Sequence, residues 1–175
     1  MGLFGNSKLR GDSEFVQLVM PNIPANATVD KKVIINTANM VVPQWLKIIG
    51  ECSKLVNETE NPKVFFQRYD TLYEYCGLMA KLEKYYAFKP PLPSQQFERI
   101  INQKTATINS FIDRYFESVC MKVVQLKTEN AKNKKIEEFY DILTFYSEKM
   151  DTDNIVKFSE MYSRFKLETY AGDIK

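Results

Sequence analysis

The sequence predicts an all-α fold, an antiparallel bundle of five to six helices built around one long helical hairpin. Three observations carry that expectation. Apolar residues recur every three or four positions along most of the chain, which places them on one face of a helix. The two longest such stretches, about 62–86 and 95–127, flank Lys89-Pro90-Pro91-Leu92-Pro93, where each ring removes a backbone donor and crowds the preceding residue out of the α region. With 175 residues, 45% of them hydrophobic and 13% aromatic, the chain can also bury a real core.

Residues 1–12 hold three glycines and small polar side chains without a period, and read as a flexible tail ahead of a single helical domain over 13–170. Glu14 to Met20 is a short apolar run closed by Pro21, compatible with a helical turn or a strand. Pro21 to Asp30 reads as loop. Val33-Ile34-Ile35 and Met40-Val41-Val42 then flank Asn36-Thr37-Ala38-Asn39, a pattern that suits a β-hairpin or a helix. Helix is preferred, because no other strand is in view and a lone hairpin is marginal in water. Pro43 fits the first turn of a helix reaching about Asn57, with Trp45, Ile48, Ile49, Cys52, Leu55 and Val56 on the face that docks on the long hairpin.

Asn61-Pro62 opens the first hairpin helix, with Asn as cap and proline where a free N–H is not needed. Phe65, Tyr69, Leu72, Cys76, Met79, Leu82 and Tyr86 form its stripe. Ser94 caps the second helix, whose stripe of Phe97, Ile101, Ile108, Phe111, Tyr115, Val119, Val123 and Leu126 is interrupted once, by Lys104. A turn centred between Lys89 and Leu92 sets residue i opposite about 181 − i, since both helices rise about 1.5 Å per residue. Arg68 then lies level with Asp113, and Asp70 and Arg114 fall within a turn. These four form an expected ion-pair node, either a clasp fixing helix register or a polar lining for a ligand pocket.

Thr128 to Asn133 is read as a break, followed by a stripe of Ile136, Phe139, Tyr140, Leu143, Tyr146 and Met150. Asp151-Thr152-Asp153 caps a last helix that turns Ile155, Phe158, Met161, Tyr162 and Phe165 inward.

Taken together, Asn61-Pro62-Lys63-Val64-Phe65-Phe66-Gln67-Arg68-Tyr69-Asp70, Phe111-Ile112-Asp113-Arg114-Tyr115, Leu126-Lys127-Thr128-Glu129 and Lys134-Lys135-Ile136-Glu137-Glu138-Phe139 resemble an uncharacterised helical domain of Firmicutes and their phages. The resemblance covers roughly residues 55–165. It implies a bacterial or phage-encoded cytoplasmic protein and carries over no catalytic residue.

Without a single histidine the chain has no Ser-His-Asp or Cys-His pair and no zinc site of the usual Cys/His kind. Glycine-rich phosphate loops and nucleophile elbows are missing too, so a non-enzymatic role without cofactor or metal is expected. Cys52, Cys76 and Cys120 read as buried free thiols of a reducing, cytoplasmic compartment. No stretch nears the roughly 20 apolar residues of a membrane span, and no signal-peptide core is seen. A net charge of +2 leaves the partner class open. Ten tyrosines and twelve phenylalanines suggest a protein-interaction or scaffolding module, unless they simply fill the core. The alternative is nucleic-acid binding through the basic run Lys122 to Lys135, with Lys127, Lys132, Lys134 and Lys135 as phosphate contacts.

Overall fold

The computed structural model describes residues 8–83, 85 and 94–170. Among the described residues the fold is all-α, 81% helical with seven α-helices and one two-stranded ribbon. The proline-rich turn at 89–93 lies outside the described residues, as do residues 1–7 and 171–175.

A short strand β1 (Lys8–Arg10), within the stretch read as a tail, pairs antiparallel with β2 (Thr28–Asp30), Leu9 opposite Val29. Between them Glu14–Val19 forms α1, which resolves the helix-or-strand ambiguity of that run. The ribbon continues into tight loop contacts: Gly11 N–H donates to the Ala27 carbonyl at 2.8 Å. A Cβ at Gly11 would stand 2.0 Å from the Pro24 carbonyl oxygen. Replacing Gly11 by alanine is therefore expected to push the 21–27 loop off the ribbon and cost about 2 kcal/mol, as overpacking of a filled site does. Thermal melting checks this, and an unchanged midpoint would show that the loop yields freely.

Asp30 caps the next helix, its carboxylate accepting the Lys32 N–H at 2.7 Å. That helix, α2 (Lys31–Glu58), is 28 residues long and keeps Pro43 inside it rather than at its start. The proline is tolerated because Pro43 and Asn39, the residue whose carbonyl it leaves without a donor, both lie on an exposed face. The helical reading of residues 31–42 holds, and the separate start at Pro43 is corrected. Asn61 caps α3 (Pro62–Glu83) as expected, accepting the Val64 N–H at 3.2 Å.

The expected rod over 95–127 is two helices, α4 (Ser94–Asn102) and α5 (Lys104–Val124), separated at Gln103. Thr128 does not begin a break but caps α6 (Glu129–Phe145), accepting the Ala131 N–H at 3.3 Å. A 3-10 turn (Ser147–Lys149) leads to α7 (Thr152–Tyr170).

Over the span read as one domain the chain forms two compact units. The first comprises the residues up to Cys52 together with Thr71–Asn102; the second comprises Ser53–Asp70 and everything from Gln103 onward. In the first, Phe15, Val16, Ile34, Ala38, Cys76, Met79 and Leu82 are buried, and Trp45 is half-buried with its ring edge-on to Tyr75 at 6.2 Å.

The second unit is organised by aromatic rings. Tyr146 stacks on Phe66 (4.3 Å), Phe66 meets Phe111 edge-on (5.7 Å), and Phe111 stacks on both Phe65 (4.0 Å) and Tyr115 (5.8 Å). From Tyr115 the series continues through Phe139 and Phe116 to Phe165. Parallel packing of α5 and α7 follows from the contacts Asn109 to Asn154, Asp113 to Lys157 and Phe116 to Phe165, which advance along both helices together. Helix α6 doubles back between them.

Candidate functional site

The four residues of the expected ion-pair node take separate partners. Asp113 accepts from the Lys157 ammonium at 2.7 Å, and Asp70 pairs with Lys149. Arg114 donates to the Val56 carbonyl at 2.8 Å and to Ser110 Oγ at 3.0 Å. Arg68 is exposed. A register difference accounts for this. The Phe65–Phe111 and Phe66–Phe111 contacts put residue i of α3 opposite about 176 − i of α5. That slip of more than one turn carries Arg68 away from Asp113, and lysines from α7 and the 3-10 turn reach the two carboxylates instead. These pairs tie α5 to α7 and α3 to the 3-10 turn.

The basic cluster spreads over a helix junction and the first turns of α6. Lys127 and Lys134 are exposed, Lys132 and Lys135 half-buried. Lys135 is committed to Glu138 at 2.6 Å. The hydrogen bond from Lys135 holds the Glu138 carboxyl below its ordinary range, with Lys134 adding a weaker attraction. Because these lysines begin a helix rather than end one, its dipole does not favour them. What balances them is the glutamates at 129, 137 and 138 of the same helix.

Cys52, Cys76 and Cys120 are not joined in disulfides. Cys52 and Cys76 are buried, and burial pushes the Cys76 thiol up to about 11. Cys120 is half-buried and is also pushed up to about 11, by burial first and the Glu168 carboxylate second. Such thiols are poor nucleophiles at neutral pH. Among the described residues no group of three His, Cys, Asp or Glu is placed to hold a metal ion, and no helix is long and apolar enough to cross a membrane.

Features that the sequence did not single out are better placed to bind. In the second unit a hollow of about 380 Å³ is lined by Asn61, Pro62 and Lys63 at the start of α3 and by Asp141, Ile142, Phe145 and Tyr146 at the end of α6. Phe145 is 74% exposed on its edge and meets Tyr146 edge-on at 4.9 Å. In the first unit two further hollows lie along α1. One, of about 500 Å³, runs past Leu18, Val19, Pro21, Val41, Trp45 and Leu78. The other, of about 520 Å³, is walled by Leu9, Phe15, Ile35 and Tyr85, with Ser13, Glu14 and Lys31 as its polar members. One signal for the α6 feature was legible: Phe145 falls off the stripe that Ile136, Phe139, Leu143 and Tyr146 make.

No family model, curated protein or solved structure matches this chain.

Proposed function

We propose that the protein is a non-catalytic interaction module that docks a protein partner on the surface formed by the end of α6 and the start of α3. The exposed Phe145 ring carries this reading. A phenylalanine three-quarters open to water gives up about 2 kcal/mol that burial would return, and its one aromatic contact among the described residues is the edge of Tyr146. Its surroundings have the composition of a recognition patch. Pro62, Ile142 and Tyr146 supply an apolar centre, and exposed Lys63 and Asp141 supply a charged rim. Many of the aromatics go into the ring series of the core, and among the described aromatics Phe145 is the most exposed.

Phe145→Ser is expected to leave the melting midpoint nearly unchanged, within about 0.5 kcal/mol, as for other exposed positions. In affinity capture from the native cell, the same substitution should remove at least one protein recovered with the unaltered chain. Recovery of an identical set by both forms would overturn the assignment. Nucleic-acid binding receives less support, because the lysines of α6 are matched by glutamates on the same helix and Lys135 is held by Glu138.

A further inference from the structure

The cavity against β1, α1 and the start of α2 has a composition that selects a ligand. Its walls are apolar: Leu9, Phe15, Ile35 and the Tyr85 ring, with Phe15 and Tyr85 stacked at 4.6 Å and 11°. At about 520 Å³ it falls within the range that holds small organic molecules. Only three polar side chains reach it, and they differ in what they leave free. The Glu14 carboxylate is already engaged, accepting from the Tyr85 hydroxyl at 2.7 Å. Burial, and then Glu14 itself, push the Tyr85 phenol up to about 12, so it remains a donor to that carboxylate at any ordinary pH.

Ser13 and Lys31 are uncommitted. The Ser13 hydroxyl oxygen is shut off from solvent without a hydrogen-bond partner, an arrangement that costs free energy unless something else supplies the partner. Lys31 is half-buried and makes no ion pair among the described residues. It is also the first residue of a 28-residue helix whose positive end disfavours a lysine and is already capped by the Asp30 carboxylate, which accepts the Lys32 N–H at 2.7 Å. An ammonium without an ion pair among the described residues and an orphan hydroxyl therefore both line an apolar hollow.

We propose that this cavity binds a small amphipathic carboxylate, whose head group takes the Lys31 ammonium and the Ser13 hydroxyl while its hydrocarbon body lies against Leu9, Phe15 and Ile35. The head group is specified by what Lys31 and Ser13 lack, an acceptor for both donors, since the Glu14 carboxylate is taken by Tyr85 and the Asp30 carboxylate by the Lys32 N–H. The body is specified by walls that offer no donor or acceptor. Binding here is independent of the α6 surface proposed above, which belongs to the other compact unit.

Decanoate, used well below its micelle concentration, is the probe, with decylamine and decanol as matched controls. In a methyl-labelled sample, decanoate should shift the Leu9 and Ile35 methyl resonances saturably and raise the melting midpoint. Decanol should do so at least about tenfold more weakly, and decylamine should not bind measurably. Lys31→Met should bring decanoate down to the affinity of decanol without altering decanol itself, and Ser13→Ala should weaken decanoate alone. The proposal is overturned if decanoate produces no saturable shift, if the shifts fall on methyls elsewhere, or if decylamine binds as well as decanoate. Because the three ligands are compared on the unaltered protein, the outcome is decisive even if a variant folds poorly.

Discussion

Phe111→Ala is expected to destabilise the protein by about 4 kcal/mol, which for a chain of this size is a fall of about 12 °C in melting midpoint. Phe111 is fully buried and touches three other rings, stacking on Phe65 at 4.0 Å and on Tyr115 at 5.8 Å while Phe66 meets it edge-on at 5.7 Å. Truncation removes the transfer term of a whole phenyl ring. It also opens a cavity that rings held on helices cannot close by shifting one side chain. A double-substitution cycle with Phe65→Leu should return a coupling of about 1 kcal/mol, the worth of an aromatic pair beyond its buried area. A loss no larger than that of an exposed control such as Phe145→Ser would mean that the ring series does not organise the second unit.

The second large effect is expected at Asn154, which is completely buried at the start of α7. Its side-chain amide donates to the Thr105 carbonyl and to the Asn109 side-chain oxygen, both at 3.0 Å, and its oxygen accepts the Asp151 N–H at 3.2 Å. The last of these is a capping-box bond from the third residue of the helix back to the residue before it. Thr105 closes the group by donating to the Asp151 carboxylate. Asn154→Leu keeps the volume and removes all three bonds, taking the acceptor from the Asp151 N–H and the donor from the Asn109 side-chain oxygen and the Thr105 carbonyl. A loss of about 3 kcal/mol in chemical denaturation is the expected result. Stability equal to the unaltered chain would show that the polar group contributes nothing beyond filling space.

The helical stripes made much of this fold legible. Phe65, Tyr69, Leu72, Cys76, Met79 and Leu82 recur at helical spacing and all are buried. So are Ile108, Phe111, Tyr115, Val119 and Val123 in α5. The interruption at Gln103 was not visible, because no proline or glycine marks it; the only trace was Lys104 standing where the stripe wanted an apolar residue. Three-residue strands such as Lys8–Arg10 are too short to show a period, so in sequence the ribbon looks like tail and loop. The ion pairs failed to appear as expected for a different reason. Charges seen along a chain choose partners in three dimensions, and a slip of about five residues was enough to hand Asp113 to Lys157. The carboxylate site was illegible altogether, since it gathers positions 9 to 85 with no motif linking them.

The aromatic series joins parts of the chain that are made far apart in time. Phe66 stacks on Tyr146, and Asp70 pairs with Lys149, a separation of 79 residues. During synthesis, Phe66 must therefore leave the ribosome without its stacking partner Tyr146 and wait until the whole of α6 has followed it out, even after Phe111 has reached both Phe65 and Phe66. At the usual pace of roughly 5–20 residues per second, that is several seconds in which the Phe66 ring is incompletely covered. Slow translation or a shortage of chaperones should thus harm the yield of this protein more than its equilibrium stability would suggest.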